Sequence, residues 1–193
     1  MKNQVPVGVS ARHVHLSQEH LEFLFGEGYE LTHFKDLSQP GQFAAEEKVT
    51  VISEAGKEIA GIRILGPVRK ETQIELSRSD AVKGKFVAPV RSSGDIKGSG
   101  AATIVNPLNG NAVKISEGVI VADRHIHFSV EEGEEYGIKD KDVVSLKVEG
   151  AKGGIMNNVL CRVGAQYKLD CHLDVDDANA FDLKQGSIVE IIK

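Results

Sequence analysis

Cysteine is scarce. Cys161 and Cys171 are the only two among 193 residues, too few for a disulfide framework and without the CxxC spacing of a zinc knuckle or redox pair. A reducing compartment is the simplest reading of that usage. Long apolar runs are missing too: no stretch approaches the ~18–20 residues that cross a bilayer. The start, MKNQVPVGVSARHVH, contains no cleavage-like segment. No membrane association is expected, and a cytoplasmic location is. Nor is there an excess of positive charge, since 23 Lys and Arg stand against 28 Asp and Glu, giving a net charge of −5 and a pI near 5.8. Nucleic-acid phosphates therefore find no general attraction. Nucleotide fingerprints are absent as well, because no GxGxxG follows a strand-like run and no GxxxxGK[ST] occurs. The acidic run Asp174, Asp176 and Asp177 lacks the spacing of a calcium loop, with its central Gly and terminal Glu.

What is present describes a soluble globular chain with many tight turns: 41% hydrophobic residues, 26% charged residues and 20 glycines. Its length suits one domain of ordinary size or two small ones. Most apolar residues fall in short Val- and Ile-rich runs at 5–9, 49–52, 59–65, 118–122, 143–148, 158–163 and 187–192, bounded by Gly, Asp, Asn and Pro. That is strand chemistry, so a mainly β protein is expected. Helical periodicity is convincing at 17–25, where Leu21, Leu24 and Phe25 recur behind a Ser17 N-cap, and weaker at 129–136.

Both helical segments follow a histidine pair, and this coincidence exposes an internal duplication. Ala11-Arg12-His13-Val14-His15-Leu16-Ser17-Gln18-Glu19 aligns with Asp123-Arg124-His125-Ile126-His127-Phe128-Ser129-Val130-Glu131. Further on, Glu75-Leu76-Ser77-Arg78-Ser79-Asp80-Ala81 aligns more loosely with His172-Leu173-Asp174-Val175-Asp176-Asp177-Ala178, so that Glu75 stands where His172 stands. Two similar small β units are expected, closer to barrels or sandwiches than to a βαβ wind. Glycine-rich and polar stretches at 92–100 and 106–111 read as loops or a linker, and they place the boundary between the halves in that zone.

On an extended strand residues i and i+2 point the same way, so His13 with His15, and His125 with His127, can each offer two imidazoles to one ion. A catalytic metal takes about three protein ligands and keeps open positions, and the alignment supplies Glu75 and His172 as the third of each set. A single HxH is most simply a hydrogen-bonded or solvated pair. Its duplication favours two metal sites, whereas His20 and His33 fit no pattern and read as surface or helix-end residues. Cys171 adjoins His172, but neighbours on a strand face opposite sides, so Cys171 and Cys161 read as packing residues. Arg12 and Arg124 precede the pairs, where they either support the ligands or form surface ion pairs, or else bind an anion directly. Arg69 is the first choice for an oxyanion ligand, because it lies shortly before Glu75 and guanidinium grips phosphate bidentately, although composition alone favours an ordinary surface arginine.

The set Gly8-Val9-Ser10-Ala11-Arg12-His13-Val14-His15-Leu16-Ser17, Gln39-Pro40-Gly41-Gln42-Phe43-Ala44, Ile64-Leu65-Gly66-Pro67-Val68-Arg69, Ala122-Asp123-Arg124-His125-Ile126-His127 and His172-Leu173-Asp174-Val175-Asp176-Asp177-Ala178-Asn179-Ala180 resembles the phosphate propanoyltransferases of the PduL type. The resemblance implies two β-barrel domains capped by short α-helices. One spans residues 12–122, the other joins 1–11 to 123–193, and the active site lies between them. It implies two zinc ions per chain, one on His13, His15 and Glu75 and the other on His125, His127 and His172, with Arg69 on phosphate. Gln39, Pro40, Gly41 and Asn179 become candidates for shaping the coenzyme A site. The implied partners are acyl-CoA, phosphate, acyl phosphate and a second copy of the chain in a homodimer. Two departures stand out. Where family members commonly read Gly-Pro-Lys-Gly this chain has Asn106-Pro107-Leu108-Asn109-Gly110, and the N-terminal extension of microcompartment-packaged members is not seen.

The expected reaction is reversible conversion of propanoyl-CoA or acetyl-CoA and phosphate to acyl phosphate and CoA, by direct attack without an acyl-enzyme, since no Ser-His-Asp or activated-Cys set is evident. The rivals are a dinuclear metallohydrolase of phosphate esters or thioesters and a non-catalytic metal-binding β module.

Overall fold

Each apolar run named above coincides with a strand in the computed structural model, which describes residues 2–193. The chain opens with β1 (Gln4–Ser10) and β2 (His13–His15), then α1 (Gln18–Phe25) and the exposed β3 (His33–Asp36). A hairpin of β4 (Phe43–Ile52) and β5 (Glu58–Gly66) precedes β6 (Gln73–Glu75), α2 (Arg78–Gly84) and β7 (Val90–Arg91). A second hairpin joins β8 (Gly100–Val105) to β9 (Ala112–Ala122). There follow β10 (His125–Phe128), α3 (Val130–Tyr136), β11 (Val143–Val148) and β12 (Gly154–Val163). Last come β13 (Asp170–Asp174), α4 (Val175–Ala180) and β14 (Ile188–Ile192). The described residues are mainly β, with 45% strand and 15% helix.

The strand pairings close two barrels of six strands each. The first runs β2–β5–β4–β8–β9–β6 and back to β2, with β3 added to β4 and β7 to β9. The second runs β10–β12–β11–β14–β1–β13 and back to β10. Taken in that order, the pairings have the same sense in both rings: parallel, three antiparallel, parallel, antiparallel. The duplication therefore reaches the topology, with one difference. Where the first ring uses β9, the second uses β1, taken from the start of the chain.

Two compact units result, one of Arg12–Leu37 with Gly41–Ala122, the other of Asp123–Lys193 with Ser38–Pro40 and the segment through Ala11. This corrects the boundary drawn from composition. Residues 92–100 connect β7 to β8 and residues 106–111 form the β8–β9 turn, so both lie inside the first unit. The second stretch has a structural task. Side-chain amides of Asn106, Asn109 and Asn111 donate to the carbonyls of Leu24 and Phe23 at 3.0–3.2 Å, satisfying groups that the end of α1 leaves without helical partners. At the opposite ends of the helices, Ser17, Ser77, Ser129 and Asp174 each accept a backbone N–H as N-caps.

Each barrel fills its interior with alternate strand residues. Val14, Ile62, Ile64 and Ile74 belong to the first core, and Val5, Val7, Ile126 and Phe128 to the second. No helix among the described residues is long and apolar enough to cross a membrane.

Candidate metal centres

A strand that alternates in and out cannot send all its side chains to one core. In β2 the fully buried Val14 takes the inward position, which leaves His13 and His15 together on the outer face. β6 lies antiparallel beside it and sets Glu75 opposite His13 and Gln73 opposite His15, while Ile74 turns inward. The second barrel repeats this. Ile126 is inward, His125 and His127 are outward, and β13 sets His172 opposite His125 with Cys171 turned to the core. Residues directly opposed in an antiparallel pair stand ~4.5–5.5 Å apart, so register alone brings a third ligand to each pair.

The ligand atoms of His13, His15 and Glu75 lie within 4.8 Å of one another, and so do those of His125, His127 and His172. His15 is 3% exposed and His127 6%, so bulk water does not serve their nitrogens. Nδ1 of His15 and both ring nitrogens of His127 have no hydrogen-bond partner. A buried polar atom left in that condition costs about 1–3 kcal/mol. A divalent cation is the partner that would relieve it. Two His with one Glu, and three His, are both donor sets that zinc accepts with a position left open, so the residues present fit the ion.

Electrostatics favour the same state. Burial, then the His13 and Arg69 charges, hold the His15 pKa well below the ordinary histidine value. For His127 burial comes first, followed by His125, His172 and Arg162, and the value falls to about 2. Both rings are neutral at pH 7, with lone pairs available to a metal. Burial opposes the charge on Glu75, but the His13 charge and hydrogen bond, then His15 and Ser93, outweigh it and keep this carboxyl well below its usual range. Glu75 therefore offers an anionic oxygen at neutral pH.

Surrounding groups orient these side chains. The Ser93 hydroxyl donates to Glu75 Oε1 at 2.7 Å and accepts from Arg69 Nη1 at 3.1 Å and from Gln73 Nε2 at 2.9 Å. Gln73 Nε2 also donates to Glu75 Oε1 at 2.6 Å, and Gln73 Oε1 accepts the Gly94 N–H at 2.7 Å. In the second barrel His125 Nδ1 lies 2.8 Å from the Asp123 carbonyl, and Asp170 Oδ2 lies 3.5 Å from His172 Nε2. The Ser38 hydroxyl donates to that same Asp170 oxygen.

The family model described as phosphate propanoyltransferase matches residues 6–184. The chain belongs to the phosphate propanoyltransferase family. A phosphate propanoyltransferase of Thermotoga maritima is 52% identical over 97% of this chain and 88% of its own length. Relatives with the same description in Lachnoclostridium phytofermentans and Priestia megaterium are 48% and 49% identical, covering 97% and 95% of this chain and 87% and 83% of their own lengths. Family membership makes the chain an acyltransferase that uses phosphate.

Within that family frame the other singled-out residues fall as follows. Arg69 lies in the first unit, bonded to Ser93. Arg12 pairs with Asp80 at 3.0 Å and Arg124 with Asp177 at 2.7 Å, and these are equivalent pairs in the two repeats. Of the readings left open for the two arginines, the structure shows ion pairs. His20 Nδ1 lies 2.7 Å from the Thr72 hydroxyl, and His33 lies 2.7 Å from Asp36 on the surface. The Gln39 amide clamps Lys168, donating to its carbonyl at 2.9 Å and accepting its N–H at 3.2 Å, so this side chain holds residues 38–40 in the second unit. Pro40 and Gly41 are exposed, Gly41 with φ of +72°. Asn179 is exposed on α4, where its carbonyl accepts from Lys152.

Ser93 was not visible in the sequence. It sits in a Ser-Ser-Gly loop with no motif, 18 residues from the glutamate it touches. Outer-sphere partners of this kind typically govern ~10- to 100-fold in metal affinity. Ser93→Ala is expected to weaken zinc binding by a factor in that range at the centre containing Glu75, measured by competition with a chromophoric chelator. Unchanged competition would remove Ser93 from the centre.

Both thiols are buried. Burial raises the Cys161 pKa to about 12 and the Cys171 pKa further still. The thiolate is the reactive form, so neither cysteine is expected to react with iodoacetamide until the chain is unfolded, as read by intact mass.

Proposed function

We propose that the chain catalyses the reversible reaction of propanoyl-CoA or acetyl-CoA with phosphate to give acyl phosphate and CoA, served by two zinc ions, one in each unit. The observation that carries this reading is the pair of largely buried clusters of three candidate ligands, found in a chain whose family transfers acyl groups to phosphate. His13, His15 and Glu75 would hold one ion, and His125, His127 and His172 the other. When bound, zinc supplies Lewis acidity toward carbonyl or phosphoryl oxygen and affinity for a thiolate.

The chain's own groups prepare the rest. Arg69, oriented through Ser93, presents fixed N–H donors to an oxyanion, in the geometry that grips phosphate in two places. All of the candidate ligand residues but the half-buried His172 are buried, and burial strengthens the charge interactions made there by lowering the local dielectric. In the forward direction a phosphate oxygen forms the new bond to the acyl carbon and the carbon–sulfur bond breaks. Negative charge builds first on the carbonyl oxygen and then on the departing sulfur. Both cysteines face the barrel core, so the acyl group passes directly to phosphate without residing on a thiol of the chain.

The test pairs metal analysis with CoA release from propanoyl-CoA and acetyl-CoA, each with and without phosphate. About two zinc ions per chain and strictly phosphate-dependent release are expected. Release that proceeds equally in water alone would identify a hydrolase instead, and metal uptake with no turnover would identify a binding module.

A further inference from the structure

In the first barrel, the segment after β5 returns to β2 through the Arg69 N–H, which donates to the Leu16 carbonyl at 2.8 Å. In the second, the segment after β12 returns to β10 through the Gly164 N–H, which donates to the Phe128 carbonyl at 3.0 Å. Leu16 and Phe128 each follow the second histidine of a pair, so this is the same joint in both repeats. Each joint carries a guanidinium. Arg69 stands in the first barrel with its charge reaching His15. Arg162 stands in the second, in register with His127 on the adjacent strand, with its charge reaching that ring.

Arg162 differs from Arg12 and Arg124 in how it is held. Those two are neutralised by aspartates. Among the described residues, the half-buried Arg162 guanidinium rests only on a ring face, its Cζ lying 5.4 Å from the Tyr167 centroid. The Tyr167 ring in turn lies parallel to His127, with centroids 4.1 Å apart and an interplanar angle of 8°. A fork of donors is thus stationed next to His127 in register, and among the described residues no carboxylate is paired to it.

We propose that Arg162, braced by Tyr167, is an oxyanion-binding side chain of the second unit that takes the phosphoryl group of phosphate or acyl phosphate. The aromatic plate limits where the guanidinium can swing, and the unpaired N–H groups match two oxygens of a tetrahedral anion. The inference rests on the acyl-transfer reading above. Coenzyme A also carries phosphates, so the test must separate the two sources.

Arg162→Met keeps an unbranched apolar stem, and Arg162→Lys keeps the charge but not the fork. With phosphate varied at saturating propanoyl-CoA, Arg162→Met is expected to raise the phosphate KM by roughly 10- to 100-fold, the loss typical of a charge-assisted hydrogen bond. The thioester KM and the zinc content stay within about twofold, and Arg162→Lys falls between, carrying the comparison if the Met variant does not fold. A phosphate KM within about twofold of the parent overturns the inference, and a rise in the thioester KM alone reassigns Arg162 to the CoA phosphates. Isothermal titration of inorganic phosphate into parent and variant decides the matter apart from turnover: equal affinity sinks the role of Arg162. Absence of phosphate-dependent CoA release from the parent would sink the functional reading instead.

Discussion

On the proposed zinc reading, His127→Ala is expected to lower phosphate-dependent CoA release by at least ~100-fold and to remove about one zinc ion per chain, because loss of a ligand would matter at least as much as loss of the outer-sphere groups that tune a metal by 10- to 100-fold. His15→Ala is expected to do the same at the other centre. The stability of the metal-free protein separates this from simple damage to the fold. His127 buries two ring nitrogens and His15 one with no partner, so truncation relieves a desolvation penalty of about 1–3 kcal/mol while it opens a small cavity, and the two terms offset. The metal-free melting temperature therefore hardly moves as activity collapses. Full zinc content with normal turnover in either variant would remove that cluster from the reaction.

Ile126→Ala is expected to destabilise the chain by about 2–5 kcal/mol, read from the urea midpoint at unchanged m-value. Ile126 is fully buried in the second core and is flanked on its strand by His125 and His127. Its inward anchorage is what turns both imidazoles outward together. The variant is therefore also expected to lose zinc affinity, although no ligand has changed. Val14→Ala is the matching change between His13 and His15, with a smaller effect because less side chain is removed. If Ile126→Ala lowers stability but leaves zinc affinity intact, the coupling of core anchorage to ligand placement is absent.

The HxH pairs were legible in the sequence because period-two alternation is local, and a strand places i and i+2 on one face whatever surrounds it. The mainly β class was legible for a related reason, since short Val- and Ile-rich runs suit a pleated, half-buried surface. Helix α1 announced itself through its Ser17 cap and periodicity and α3 through a weaker periodicity, whereas α2 and α4 bury only Ala81, Gly84 and Ala178, residues too small to mark an apolar face in the sequence. The expected boundary failed because glycine and asparagine mark turns inside a domain as readily as between domains. Residues 106–111 proved to cap a helix rather than to link two units.

Ser93, Tyr167 and Arg162 were not legible, since each acts through partners distant in sequence. Ser93 meets Glu75 across 18 positions of chain, and Tyr167 meets His127 by stacking, which leaves no spacing rule to read. The amino-acid sequence by itself determined which residue types recur and which of them must share a strand face, because those depend on backbone geometry over a few residues. Tertiary structure alone decided the register that sets Glu75 opposite His13 and His172 opposite His125, and the closure of the second ring by a strand from the chain's beginning. Both depend on hydrogen bonds between segments far apart in the chain, whose pairing only the folded barrel selects.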